Sequence, residues 1–390
     1  MFDINTAVSP KVIGLKPSKI RKYFDIASQM ENVISLGIGE PDFTTPWSIC
    51  DAGIYSIEKG HTHYTGNSGL PKLREEIAKY QKRHFELEYN PDNQIIVTIG
   101  GSEALDLCMR AVISPGDEVI IPEPSFVCYE PISELAGGVP VKIKTLAKDN
   151  FRLMPEQLKK VITPKTKLLI LPYPSNPTGA VMPKPHLEEL AKVLENTNII
   201  VLSDEIYGAL TYGEEKHFSI ANIPSMYERT VVVNGFSKSH AMTGWRLGFA
   251  CASPVIMREM IKIHQFAIMC SPTTSQYAAI VALEKGDNDV EKMRLSYDKR
   301  RRFVVDSLNS LGLSCFEPLG AFYAFPCIES SKLNCDEFCE RLLIEKSVAA
   351  IPGNAFGQGG EGFIRISYAS SLENLNTAME RIYDFLQTVK

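Results

Sequence analysis

The fold is decided by residues 94–236, which include, in order, QIIVTIG (94–100), SEALDLCMRAVI (102–113), EVIIPEP (118–124), VPVKIK (139–144), KLLILP (167–172), HLEELAKVLEN (186–196), NIIVLSDE (198–205) and TVVVNGF (230–236). β-Branched runs thus alternate with helical patterns, which predicts an α/β fold with a mostly parallel sheet flanked by helices. Ligands of such sheets bind at the carboxyl ends of the strands. The residues that follow each run are therefore the first candidates for a functional site.

The regions on either side show a different pattern of predicted helices and strands. From Asp287 a long charged helical stretch leads to the strand patterns GAFYAFP, VAAIPG and FIRISYA and to a closing helix from Leu372. Before Pro46 a helix is expected from Pro17 to Met30. We expect an N-terminal segment (1–45) that joins a small domain, a large domain (46–286) and a smaller α+β domain (287–390).

The composition is that of an ordinary globular protein, with 44% hydrophobic and 22% charged residues in 390. A formal net charge of −5 without a long basic run gives no reason to expect nucleic acid or an anionic membrane as a partner. The first residues lack the apolar core of a signal peptide and no run is long enough to span a membrane, so a cytoplasmic location is expected. The nine cysteines form no CxxC pair and are expected to be free thiols, and no metal site is predicted.

The most informative motif runs from Asn234 to Gly248 and reads NGFSKSHAMTGWRLG. Lys238 follows a strand, and Arg246 lies eight residues later between glycines. A lysine that forms an imine must be deprotonated, and partial burial near other positive charge lowers its pKa. An arginine offers a planar fork to a phosphate. The alternative is a surface lysine beside a helix-capping Ser237.

Three further motifs follow strands. Asp204 ends the apolar run IIVLSD, where it can pair with a buried cation, although an N-cap aspartate is the simpler interpretation of that residue alone. Asn176 lies in the turn-rich segment YPSNPTG, and its bond to Pro177 is a plausible cis peptide. Gly101 and Ser102 begin a helix directly after a strand, as in many anion sites and in many ordinary capped helices.

Together, and in this order, these motifs resemble the fold-type I pyridoxal-phosphate (PLP) enzymes, and among them the class I aminotransferases. Three more segments are similar to that family: SLGIGEPDF (35–43), HYTGNSGLPKLR (63–74) and GFIRISY (362–368). The resemblance covers essentially the whole chain. It implies a large domain with a seven-stranded sheet, PLP as cofactor and a homodimer with shared active sites.

The resemblance also implies a role for each matching residue. Lys238 would be the Schiff-base lysine and proton shuttle. The rest of the cofactor would be held at its ring nitrogen by Asp204, at its ring hydroxyl by Asn176 and Tyr207, on its ring face by Phe126, and at its phosphate by Gly101, Ser102, Ser237, Arg246 and the partner subunit's Tyr64. Arg365 would bind the substrate α-carboxylate bidentately, and the backbone of Gly39 would close over it.

The implied reaction moves the amino group of an L-amino acid to a 2-oxo acid in two half-reactions. Ile20 stands where acid-specific relatives can carry a hydroxyl, which favours aromatic or broad specificity, whereas the overall resemblance is to aspartate-type and diaminopimelate-pathway aminotransferases. Aspartate, glutamate and aromatic amino acids therefore all remain open as substrates. Two alternatives also remain, a PLP-dependent C–S β-lyase of the same fold and a non-enzymatic PLP-binding regulator. Gly37-Ile-Gly39 lacks the helix of a dinucleotide fingerprint, and the run from Gly357 to Gly362 is expected to be a flexible turn.

Overall fold

We describe the protein from a computed structural model. It describes residues 7–17, 19–27, 30–214 and 216–389. Its strands, in chain order, are β1 (Ile34–Ser35), β2 (Ile95–Thr98), β3 (Glu118–Glu123), β4 (Val139–Lys144), β5 (Thr166–Leu171), β6 (Ile200–Asp204), β7 (Thr230–Gly235), β8 (Gly248–Cys251), β9 (Tyr323–Ala324), β10 (Val348–Ala349), β11 (Ile351–Pro352) and β12 (Ile364–Ser367).

The helices, in chain order, are α1 (Pro10–Ile13), α2 (Lys19–Ala27), α3 (Trp47–Glu58), α4 (Pro71–Phe85), α5 (Gly100–Val112), α6 (Tyr129–Ala136), α7 (Pro155–Val161), α8 (Lys184–Leu194), α9 (Pro224–Tyr227), α10 (Pro254–Ala267), α11 (Thr273–Lys285), α12 (Asp287–Ser310), α13 (Cys335–Lys346) and α14 (Leu372–Thr388). Several begin at a proline, whose fixed φ suits the first helical position. Side chains cap two others, since Asn334 accepts from Glu337 N and Ser371 accepts from Asn374 N. In the described part of the chain, none of these helices is long and apolar enough to cross a membrane.

The main sheet has seven strands in the order β2-β8-β7-β6-β5-β3-β4. All neighbouring pairs are parallel except those that involve β8, which runs antiparallel to β2 and β7. The expected mostly parallel, seven-stranded sheet is therefore confirmed. Its antiparallel member β8 is not among the strand patterns found in the sequence, because GFAC is only four residues long and begins with a glycine.

Helices cover both faces of this sheet. Along β7, Val231 and Val233 pack in a buried cluster with side chains of α5 and α10, whereas Val232 packs in another with side chains of α4 and α11. This alternation is what a strand buried on both faces requires. The remaining strands are short: β11-β12-β9 form an antiparallel sheet, and β1 pairs in parallel with β10.

Two local expectations are corrected. The N-terminal helix is shorter than predicted, since it spans Lys19–Ala27 and Pro17 precedes it; residues 18, 28 and 29 of the predicted range lie outside the described residues. The run from Gly357 is also not an open turn. A Cβ on Gly357 would lie 2.4 Å from Glu123 Cδ, and one on Gly359 would lie 2.7 Å from Glu123 O. Glycine is needed at both positions because this segment packs closely against the end of β3.

Candidate active site

A cavity of about 550 Å³ opens at the carboxyl edge of the parallel strands. It is lined by eleven of the twelve residues singled out in the sequence: Gly39, Gly101, Ser102, Phe126, Asn176, Asp204, Tyr207, Ser237, Lys238, Arg246 and Arg365. The strands β2, β3, β5, β6 and β7 end at this edge, so the segments that follow them converge there. The twelfth residue, Tyr64, lies elsewhere and its side chain is 82% exposed.

Lys238 projects into the cavity from the segment after β7. Its Nζ donates a hydrogen bond of 2.6 Å to the carbonyl oxygen of Gly39. Burial lowers the pKa of Lys238 to about 8, and the nearby Arg365 and Arg246 act in the same direction, against Glu40, which raises it. More of the amine is therefore neutral near pH 7 than for an ordinary lysine with a pKa of about 10.4.

Asp204 lies at the end of β6 and is buried. Its Oδ2 accepts a hydrogen bond of 2.8 Å from the Tyr129 hydroxyl, and its Oδ1 accepts one of 3.3 Å from Ile206 N. Burial raises the pKa of Asp204 to about 6, although both hydrogen bonds act to lower it. A cation placed beside this carboxylate would stabilise the ionised form.

Arg365 lies on β12 and is almost completely buried. It donates from Nη1 to Asn176 Oδ1 over 2.8 Å and from Nη2 to Gly37 O over 2.5 Å. The rings of Tyr323 and Phe356 lie 4.6 and 4.8 Å from its Cζ. No carboxylate in the described ranges forms an ion pair with Arg365, so its charge is available to an anion that enters the cavity.

The loop that holds Asn176 has the backbone predicted for it, because the Asn176–Pro177 peptide bond is cis. Tyr207 donates to or accepts from Tyr323 through their hydroxyls, 2.8 Å apart. Tyr323 also explains a nearby glycine, since a Cβ on Gly39 would lie 2.7 Å from its hydroxyl oxygen. Phe126 lines the cavity in an edge-to-face contact with Tyr129, with ring centroids 5.8 Å apart.

An anion cradle is formed where α5 begins. Gly101 and Ser102 belong to the first turn of α5, so their backbone N–H groups have no partner within the helix. Arg246 lies against this turn: a Cβ on Gly100, whose φ is +72°, would be 2.8 Å from Arg246 Nη2. The backbone of β8 also lies close to this turn, which requires glycine at position 248, because a Cβ there would be 2.6 Å from Gly101 N. Ser237 adds a second hydroxyl to the same cavity.

Sequence reasoning missed two residues that contact the predicted ones. Tyr129 begins α6 and donates a hydrogen bond to Asp204 at the end of β6, and Tyr323 comes from β9, far along the chain. Neither stands in a motif that marks it, so no signal in the sequence alone would have found it. Thr243 and Glu40 also line the cavity and are joined by a 3.2 Å hydrogen bond.

The groups around the cavity match the chemistry of PLP, which has a phosphate, a basic ring nitrogen and an aldehyde that reacts with an amine. A half-buried amine, a buried carboxylate and an anion cradle are all present at one cavity, and these features define a PLP-dependent enzyme. The chain belongs to the aminotransferase class I and II family, which it matches over residues 31–382.

Individual relatives agree with this assignment. The chain is 52% identical to the putative aminotransferase YugH of Bacillus subtilis, over 97% of this chain and 98% of the relative. It is 47% identical to an aspartate aminotransferase of Pyrococcus abyssi, over 98% and 99% of the two chains. A solved aromatic aminotransferase from Pyrococcus horikoshii OT3 superposes with a TM-score of 0.90 at 45% identity, over 95% and 99%. The protein is an aminotransferase of the fold-type I class, and its cofactor is PLP.

Proposed function

We propose that this aminotransferase moves the amino group of an L-amino acid to a 2-oxo acid in two half-reactions at the cavity around Lys238. The observation that carries the proposal is that the Lys238 amine and the Arg365 guanidinium face one cavity, with the Asp204 carboxylate on its wall. Arg365 would fix the α-carboxylate through two parallel hydrogen bonds. Lys238 would then be the base that removes the proton from Cα and returns it elsewhere.

The other residues would hold the cofactor. PLP, when bound, supplies an electron sink that makes the Cα proton acidic. Asp204 would keep the ring nitrogen protonated, and Tyr207 with Asn176 would donate to the ring hydroxyl. Gly101, Ser102, Ser237 and Arg246 would bind the phosphate, and Phe126 would cover one ring face. These roles are supported by the charges of the lining residues: the Asp204 carboxylate suits a protonated ring nitrogen, and the Arg246 guanidinium suits a phosphate.

For the substrate, we propose an amino acid with an aromatic side chain. Among the residues that the structure describes, the cationic side chains that line the cavity are Lys238, Arg246 and Arg365. If Arg246 binds the phosphate and Arg365 the α-carboxylate, none of these described cations remains for a second carboxylate. The apolar side chains of Ile20 and Ile38 line the same cavity and suit an apolar ring. Aspartate and glutamate would need a cation in addition to these three.

The test is a visible spectrum of the holoenzyme with single L-amino acids and no 2-oxo acid. We expect phenylalanine or tyrosine to convert the cofactor to its amine form at lower concentration than aspartate does. A preference for aspartate would contradict the aromatic assignment and leave the aminotransferase intact. Pyruvate and ammonia released from a cysteine-type substrate, without conversion of the cofactor, would instead favour the β-lyase. Because the relatives cited above are named as aminotransferases, the lyase and the regulator have no support from them.

We further propose a homodimer in which Tyr64 enters the partner's site. Large side chains are strongly exposed at the start of α3 (Trp47, 72%), in the loop after α3 (Tyr64, 82%) and near the end of α10 (Phe266, 87%). Asn67 Nδ2 donates to Met269 O over 2.8 Å, so the loop with Tyr64 lies beside the segment with Phe266. An apolar face of this kind favours a protein interface. Sedimentation at micromolar concentration should give a dimer, and replacement of Trp47 by aspartate should weaken it; a monomeric wild type would contradict this proposal.

Domain division and location are also proposed. The boundaries 1–45, 46–286 and 287–390 are supported by the pairing of β1 with β10 and by the separate sheet β11-β12-β9. A cytoplasmic location is supported by the nine cysteines, all of which are free thiols, as expected in a reducing compartment. Limited proteolysis would test the boundaries, and fractionation of the source cells would test the location.

A further inference from the structure

The loop that carries Tyr64 is fastened by one buried side chain, Gln276. Gln276 lies in the first turns of α11 and is completely buried. Its Oε1 accepts a hydrogen bond of 2.7 Å from Leu70 N. Its Nε2 donates to Thr65 Oγ1 over 3.1 Å and to Ser271 O over 2.9 Å. Both amide hydrogens are thus used, and two of the three bonds end on the loop between α3 and α4.

The same loop is tied to the strand that precedes the anion cradle. Val97 of β2 donates its N–H to Ser68 O over 3.0 Å, and its carbonyl accepts from Ser271 Oγ over 3.1 Å. Gly69, with φ at +98°, fits between them: a Cβ there would lie 2.5 Å from Val97 Cγ2 and 3.1 Å from Gln276 Oε1. The loop therefore has little freedom to shift relative to β2, which leads directly to Gly101.

Tyr64 itself has no comparable support. Its side chain is 82% exposed and lies one residue before Thr65, which Gln276 holds. The carbonyl of His63, on its other side, accepts from Thr273 Oγ1 over 2.8 Å, at the start of the same helix α11. The direction in which Tyr64 projects is consequently set by bonds to the first turns of α11 and not by contacts of its own ring.

We propose that Gln276 is the positioning residue for Tyr64, and that it sets the affinity of the partner subunit's site for the PLP phosphate. This inference rests on the proposed homodimer and on the role proposed there for Tyr64. Gln276 does not line the cavity and touches no reacting group. Its effect is transmitted through Thr65 and Leu70, both partly buried, because loss of the Gln276 amide would leave the Leu70 N–H without its acceptor and the Thr65 hydroxyl without one of its two bonds. The loop would then be free to rearrange.

The test is a titration of cofactor-free dimer with PLP, followed by the absorbance of the bound cofactor. Tyr64→Phe and Gln276→Leu should each weaken PLP binding on the order of 10-fold, which is the loss of roughly one hydrogen bond to a charged group. The double variant should bind no more weakly than either single variant, since both changes remove one contact. At saturating PLP, the kcat of Gln276→Leu should stay close to that of the wild type, because Gln276 does not line the cavity.

Gln81→Leu is the matched control. Gln81 is also completely buried, and in the described part of the chain its side-chain oxygen and nitrogen have no hydrogen-bond partner. This control should leave PLP affinity unchanged. Thr65→Val removes the acceptor on the loop while it keeps Gln276, so it tests the same link if Gln276→Leu does not fold.

Three results would overturn the inference. Additive losses in the double variant would show that Gln276 acts independently of Tyr64. Unchanged PLP affinity in both Gln276→Leu and Thr65→Val would show that these bonds do not control the loop. If Tyr64→Phe alone has no effect in an intact dimer, the proposed role of Tyr64 fails and the inference about Gln276 fails with it. A failure confined to Gln276 leaves the proposed role of Tyr64 intact.

Discussion

The Tyr129 hydroxyl donates a 2.8 Å hydrogen bond to Asp204 Oδ2, yet burial still raises the pKa of Asp204 to about 6. The side chain is thus held where its ionised form is unfavourable in the absence of a neighbouring cation. Such a carboxylate is stabilised when a cationic ring nitrogen binds beside it, and it destabilises the protein when none does.

Asp204→Asn should therefore stabilise the cofactor-free protein at neutral pH while it abolishes transamination. An unfolded aspartate has a pKa near 3.9, so between about pH 4 and 6 the folded state binds more protons and wild-type stability falls as the pH rises. At pH 7.5 the variant should gain about 1–3 kcal/mol in the free energy of unfolding. At pH 4 this gain should largely vanish. Urea denaturation at both pH values measures the difference, and an equal change at both would contradict the electrostatic explanation.

Lys238 should be the most reactive lysine of the cofactor-free enzyme at mild pH. Because its pKa is lowered to about 8, the neutral, nucleophilic amine becomes predominant above that pH. An ordinary lysine reaches this point only near pH 10.4. Competitive labelling with an amine reagent, read by mass spectrometry from pH 6 to 11, should give Lys238 a midpoint at least one unit below that of exposed lysines in the same digest. Coincident midpoints would refute the lowered pKa.

The sequence predicted which residues would lie together at the carboxyl edge of the sheet where their position follows from topology. Asp204 ends β6, whereas Asn176 and Lys238 lie in the segments that follow β5 and β7. All three line one cavity because parallel strands end at the same edge. The sequence could not predict Tyr129 or Tyr323, whose roles depend on which distant segments pack together.

The close contacts made at several glycines could not be predicted from the sequence either. Where the short strand β8 pairs with β7, Gly235 and Gly248 face each other, and a Cβ on Gly235 would lie 2.9 Å from Gly248 Cα. The glycines at 357 and 359 were interpreted as a flexible turn, although they are required by contact with Glu123. A glycine in the sequence does not show whether the backbone there is flexible or closely packed, since both situations favour a residue without a side chain.

Gly39→Ala tests one such crowded position. The new Cβ would lie 2.7 Å from the Tyr323 hydroxyl, so Tyr323 must move and its 2.8 Å hydrogen bond with Tyr207 should be lost. We expect kcat/KM to fall on the order of 10-fold, as a small misplacement at the reacting centre typically does. Gly244→Ala is the control, because that Cβ would meet nothing within 4 Å. Equal activity in the two variants would contradict the crowding explanation.

Arg365→Lys should separate geometry from charge at the proposed carboxylate site. Lysine keeps the positive charge but lacks the planar fork that makes two parallel hydrogen bonds. The variant would also lose one or both of the hydrogen bonds to Asn176 Oδ1 and Gly37 O. These bonds would then no longer hold the ammonium in the position of the guanidinium.

We expect KM to rise on the order of 100-fold for both the amino acid and the 2-oxo acid, since loss of a charge-assisted bidentate pair costs about 2–3 kcal/mol. The PLP affinity of Arg365→Lys should stay near that of the wild type, because the phosphate cradle lies at Arg246 and α5. Steady-state kinetics and a PLP titration measure the two quantities separately. A variant with weakened PLP binding and an unchanged KM would show that Arg365 serves the cofactor, and the substrate carboxylate would then have to bind elsewhere in the cavity.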